Sequence, residues 1–64
     1  MNENNIDFGL FLDKKVKLEI LKPGNHRPFN LYGYIEKHDN KWLYFQTDRL
    51  GLIRIDDIIG IEVL

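Results

Sequence analysis

Apolar and polar residues alternate along much of this chain, which is typical of β-strands with one buried and one solvent-facing side. The clearest case is residues 16–20 (VKLEI), in which apolar and charged side chains alternate strictly. The pattern predicts five strands in all, at residues 16–20, 29–38, 42–47, 52–55 and 59–63.

Turn-forming residues separate the predicted strands. Pro fixes φ, Gly allows positive φ, and Asp and Asn favour tight turns. Gly33 lies inside the second strand, where a glycine marks a bend or a close approach of neighbouring backbone. Turns are predicted at residues 22–25, 39–40, 48–51 and 56–58, with a loop over residues 24–28.

The N-terminal segment departs from the alternation. Ile6 and Leu10 fall at helical spacing, and Asn5 or Asp7 is placed to cap a helix. We therefore predict one short helix over residues 5–12, ahead of the strands.

The predicted fold class is mainly β. The chain has no alanine and eight isoleucines, and β-branched residues suit a pleated, half-buried surface. A short helix followed by five short strands is the pattern of a small SH3-like barrel, which closes to limit its exposed edges. We expect a single domain over residues 1–64, with the barrel at about 15–63.

Chain length limits how stable a single copy can be. A domain of about 60 residues buries only about 60% of its unfolded surface, and this one has 64 residues and no cysteine for a disulfide. We therefore expect a homo-oligomer. The apolar runs are far shorter than the roughly 20 residues of a membrane span. The polar, acidic N-terminus is unlike a signal peptide, which predicts a cytoplasmic protein and no membrane partner.

The charge is uneven along the chain. The total is -1, but residues 14–49 hold eight bases and four acids, a formal +4, between two acidic ends. The basic middle predicts either one positive surface or a solvated face of mixed charge, and we favour the second.

No residue constellation predicts catalysis. His26 and His38 lie apart from each other and from acid clusters, so no metal site is expected. The adjacent Asp56 and Asp57 point apart in a strand link, and the sequence has no nucleophile–base pair and no glycine-rich phosphate loop. We predict a non-enzyme without a cofactor.

Two segments resemble the signatures of the Sm-like family, which includes the Sm and LSm proteins and bacterial Hfq. Residues 33–44 (GYIEKHDNKWLY) have its glycine, an apolar residue two later, an Asp six later and then alternating apolar residues. Residues 52–61 (LIRIDDIIGI) resemble the second signature. The resemblance implies an Sm-like barrel, a ring of six or seven subunits and RNA as a partner.

The family's site residues carry over only in part. Asp39 and Arg54 stand at matching positions, whereas Lys41 replaces the stacking aromatic residue and Leu43 the base-reading Asn. Arg54 either grips RNA or pairs with a nearby acid, and Asp39 either orients a binding loop or serves the turn. With Lys37 added as a further cation, the predicted RNA-binding residues are Arg54, Asp39, Lys41 and Lys37.

The aromatic residues offer a second reading of the surface. Trp42 is expected in the core, whereas Tyr32 and Tyr34 are expected at a subunit interface or a ligand surface. The leading functional prediction is a ring-forming RNA scaffold or RNA chaperone. The alternatives are a protein-interaction or ligand-sensing module, faintly similar to WYL domains, and a free-standing SH3-like barrel that binds peptides.

Overall fold

The computed structural model describes residues 7–64, which form one five-stranded antiparallel sheet with strand order β4-β3-β2-β1-β5. Two short 3-10 turns accompany it, at Phe8–Phe11 before the sheet and at Ile55–Asp57 between the last two strands. The strands are β1 (Lys15–Ile20), β2 (Phe29–His38), β3 (Trp42–Gln46), β4 (Leu50–Arg54) and β5 (Ile58–Val63).

The sheet is open, which corrects part of the predicted fold. The mainly β class and the five strands are confirmed, but β4 and β5 are the two ends of the strand order within residues 7–64. The prediction of a closed barrel is therefore wrong for this chain alone. A sheet that does not close keeps two edges with backbone groups directed outward.

The predicted helix is also wrong over the residues that can be compared. Phe8–Phe11 is a single 3-10 turn, capped by the Asp7 carboxylate, which accepts from the Gly9 amide at 3.0 Å. The chain is already extended at Leu12, which forms a parallel bridge with Ile35 of β2. Glycine weakens helix propagation, and this bridge fixes the chain as extended one turn later. Asn5, where the helix was predicted to begin, lies outside the described residues.

One face of the sheet carries the core. The inward positions alternate along the strands, and Phe8 from the first 3-10 turn packs against them while its ring lies 5.8 Å from that of His38. Partly buried Phe11, Leu31 and Ile61 border this cluster. The buried apolar residues are Phe8, Val16, Leu18, Ile20, Ile35, Leu43, Phe45, Ile53, Ile55 and Ile58.

Two local features of β2 set how the sheet is arranged. Gly33 is buried, and a Cβ there would collide with the backbone carbonyl oxygen of Gln46, so the predicted close approach is confirmed. Further along, the register with β3 shifts between Ile35 and Lys37, which leaves Glu36 as the extra residue of a β-bulge. A bulge changes which face of the sheet the following side chains occupy.

Candidate functional site

A backbone hydrogen bond joins the β2–β3 turn to the link between β4 and β5. The Ile55 amide donates to the Lys41 carbonyl at 2.8 Å, which extends the register that pairs Trp42 with Arg54. Lys41, just before β3, and Arg54, the last residue of β4, therefore lie at the same end of the sheet. We call Asp39, Lys41, Arg54 and Asp56 the "turn end".

Asp39 serves the turn itself. Its Oδ1 accepts from the backbone amides of Lys41 and Trp42, each at 2.8 Å. These two hydrogen bonds stabilise the carboxylate and lower the pKa of Asp39 from its ordinary value of 3.8. The Asp39 amide also donates to the Trp42 carbonyl at 2.9 Å, so the turn is centred on residues 40–41, one residue later than predicted. Asp39 thus shapes the turn that presents Lys41.

Arg54 is exposed and has an acidic neighbour. Its Nη2 lies 3.8 Å from Oδ2 of Asp56, and both side chains are more than half exposed. An exposed ion pair of this length contributes about 0–1 kcal/mol. The guanidinium can therefore exchange Asp56 for another anion at little cost.

Lys37 lies on the strand rather than at the turn. It is the register partner of Tyr44 on β3, and its Nζ is 4.7 Å from the centroid of the Tyr44 ring. This distance is within the range of a cation–π interaction. The structure therefore places Asp39, Lys41 and Arg54 at one end of the sheet and Lys37 on its outward face.

The outward face contains aromatic residues whose arrangement the sequence analysis missed. Trp42 was predicted in the core, but it is 37% exposed because it alternates with the buried Leu43. Tyr32 and Tyr34 are also exposed on this face, at 51% and 44%. The available signal was the strand period of two, which places Trp42 and Tyr44 on the face opposite Leu43.

The other half of the outward face is polar. Lys17 of β1 pairs with Glu62 of β5, with Nζ and Oε1 2.9 Å apart, and the hydrogen bond raises the pKa of Lys17 above 10.5. Together with Glu19, Gly60 and Ile61, this pair lines a shallow pocket of about 190 Å³. The lining carries both signs of charge, so it selects neither cations nor anions strongly.

The remaining polar groups of residues 7–64 define no other site. Asp57 is the one buried charged residue within residues 7–64, and its carboxylate lies 4.0 Å from Nζ of Lys22. Over the same range, no cluster of three or more His, Cys, Asp or Glu residues is arranged to hold a metal ion. No helix in this range is long and apolar enough to cross a membrane.

Comparison with known proteins does not assign the chain to a family. No protein-family profile, no curated protein and no solved structure matches it. The features of the chain that indicate a function are therefore the turn end, the sheet edges and the outward face.

Proposed function

We propose that this chain is an Sm-like module that assembles into a ring and binds RNA as a scaffold or chaperone. The observation that carries the proposal is the joined turn end, where the Ile55–Lys41 hydrogen bond holds the backbone of Lys41 at the same end of the sheet as Arg54. The open edges of the sheet supply the means of assembly.

The β4 edge has its outward backbone groups in a regular row. Since the Ile55 amide bonds to Lys41 and bonded pairs alternate along antiparallel strands, the amides of Leu50, Leu52 and Arg54 point away from β3. A second copy can add a strand to these groups.

The β5 edge is arranged in the same way. The Leu64 amide donates to the Lys15 carbonyl at 3.0 Å, so the alternation turns the amides of Ile61 and Val63 away from β1. The two edges belong to different ends of the sheet, and pairing β4 of one copy with β5 of the next is a head-to-tail contact. Contacts of that kind close into rings when the rotation between copies allows it.

A ring would repeat the turn end in every subunit. One exposed Lys and one exposed Arg per copy give weak phosphate contacts, and repetition raises the combined affinity by multivalency. Cations hold phosphates without reading bases, so we expect weak sequence selectivity. Asp39 and Asp56 reduce the net charge of the turn end, which also favours modest affinity per subunit.

Two measurements test the proposal together. The solution mass at high micromolar concentration should correspond to a ring, with six or seven subunits expected. Oligo-U and oligo-A binding should be similar and should weaken steeply between two salt concentrations, because released counterions drive phosphate binding. Arg54→Ala and Lys41→Ala should weaken both oligonucleotides about equally, while Arg49→Ala, a cation in the β3–β4 turn, serves as the matched control. A monomer, or U-specific binding that survives Arg54→Ala, would contradict the proposal.

A specific observation favours a second candidate, a protein-interaction or ligand-sensing module without an RNA role. Large apolar side chains are exposed along both edges, with Leu50 at 55%, Leu52 at 56% and Ile59 at 53%. Such residues suit protein contacts. A ring that binds neither oligonucleotide at low salt would support this candidate.

A further inference from the structure

Four aromatic residues on β2 and β3 point to the outward face. Each of them has a cation as its register partner on the adjacent strand. Cross-strand register partners lie on the same face of a sheet with their Cβ atoms about 4.5–5.5 Å apart. The four aromatic–cation pairs are Tyr32–Lys17, Tyr34–Lys15, Tyr44–Lys37 and Trp42–Arg54. We use the name "aromatic face" for these eight residues.

The rings of the aromatic face are accessible. Tyr32, Tyr34 and Trp42 are between 37% and 51% exposed, and Tyr44 is partly exposed beneath Lys37. Two residues along a strand span about 6.6–6.8 Å. Tyr32 and Tyr34 on β2 and Trp42 and Tyr44 on β3 therefore form two short rows of rings.

The outward strand positions of β2, β3 and β4 include the cations Lys37 and Arg54 and no acid. The acids nearby are outside the regular strand positions: Glu36 is the extra residue of the bulge, and Asp56 follows β4 and lies 3.8 Å from the Arg54 guanidinium. The acids Glu19 and Glu62 lie on β1 and β5, where Glu62 pairs with Lys17. The cations Lys37 and Arg54 therefore lie near the rows of rings, on the part of the outward face away from the β1–β5 pocket.

We propose that the aromatic face binds single-stranded nucleic acid, with bases stacked on the tyrosine and tryptophan rings and phosphates held by the paired cations. Rows of rings combined with cations are the general means of binding a single strand without sequence preference. A duplex is excluded because its stacked bases offer no free faces to the rings. This inference does not require a ring or Lys41, and the aromatic face shares only Arg54 with the turn end.

Charge also argues against a second copy as the occupant. A two-fold contact would place the same patch on both partners. Lys37 and Arg54 would then face other cations across a buried surface, and like charges in contact are unfavourable. A polyanion with flat, apolar bases complements both the charge and the rings.

The single tryptophan of the chain gives a direct test. Stacking of a base on Trp42 should quench its fluorescence, so we would titrate the protein with oligo-dT and oligo-U while following Trp emission and, separately, the anisotropy of labelled oligonucleotide. Tyr34→Ala should weaken binding roughly 5- to 150-fold, the range for loss of one stacked base. Tyr34→Phe keeps the ring and should bind like the wild type, and Leu50→Ala should also leave binding unchanged.

The outcomes separate this inference from the proposed function. Two results together support the aromatic face. Tryptophan quenching should saturate at the same oligonucleotide concentration as the anisotropy, and Tyr34→Ala should weaken it while Tyr34→Phe does not. Binding that is lost in Lys41→Ala but unchanged in both Tyr32→Ala and Tyr34→Ala would overturn the aromatic face and leave the proposed function standing. Binding of a protein partner or a second copy that depends on Tyr34, without quenching by either oligonucleotide, would also overturn it.

Discussion

Gly33 of β2 lies directly against the backbone carbonyl of Gln46 at the end of β3. An added Cβ would collide with the Gln46 carbonyl oxygen and come within 3.2 Å of the Phe45 ring. The obstacle is the backbone of a paired strand, which cannot rotate away as a side chain can. Glycine is therefore required here because the neighbouring backbone leaves no room for a Cβ, and not because of the φ angle.

Gly33→Ala should destabilise the protein by about 1–3 kcal/mol, because β3 must shift to admit one methyl group. In thermal unfolding, each kcal/mol lowers the Tm of a domain this small by about 4–8 °C. Gly51→Ala is the matched control, since its Cβ would meet only the Phe45 carbonyl oxygen at 3.9 Å. Equal Tm values for Gly33→Ala and the wild type would contradict the close approach.

Phe8 should contribute most of the stabilisation that the N-terminal turn provides. It is 4% exposed and packs into the core, whereas Leu10 in the same turn is 65% exposed. Phe8→Ala should cost about 3 kcal/mol, and Leu10→Ala should change stability by less than about 0.5 kcal/mol. Urea unfolding of both variants checks this, and similar midpoints would show that the turn does not pack as described.

Stability should depend on pH through Asp39. Its pKa is lower in the folded protein than the ordinary 3.8 because two amides donate to the carboxylate. The unfolded chain therefore takes up the proton first as the pH falls, and the stabilisation, complete above the unfolded value, is lost as the pH passes through the folded value. Asp39→Asn removes this titration, so its urea midpoint should approach that of the wild type below pH 3.8. A difference that stays constant as the pH falls well below 3.8 would argue against it.

The proposed ring can be tested at the β4 edge without disturbing the protomer. The Leu52 amide points away from β3, so Leu52→Pro should remove a donor only from contacts between copies. We expect its mass to fall to that of one chain while the circular dichroism spectrum is retained. Leu52→Ala shortens the side chain but keeps the amide, and it should assemble. A Leu52→Pro variant of unchanged mass would rule out edge pairing through β4.

The strands could be predicted from sequence because alternation is a local property. Residues 16–20 and 59–63 match β1 and β5 to within one residue. Trp42 was misplaced because the run from Trp42 to Phe45 is apolar throughout. Hydrophobicity therefore does not indicate which face of this strand is buried. Only the pairing of the neighbouring strands separates the buried Leu43 and Phe45 from Trp42.

The site was harder to predict, because its geometry depends on contacts between distant residues. A regular strand continuing from the buried Ile35 would turn Lys37 inward, and the bulge at Glu36 instead aligns it with Tyr44. Barrel closure depends on whether β4 reaches β5, which no local pattern encodes. The helix prediction relied on the spacing of Ile6 and Leu10, and the residue that packs into the core is Phe8.

The pairing of β5 with β1 also bears on how the protein folds. Strands β1 to β4 follow one another as neighbours, whereas β5 follows β4 in the chain but pairs with β1, so that Val63 is the partner of Val16. Contacts between residues so far apart in sequence close late and slow the folding of small β proteins. In the proposed ring this last strand is also the one that a neighbouring copy would hold in place. Assembly would then complete folding, and the resistance of the protein to heat and urea would rise with its own concentration.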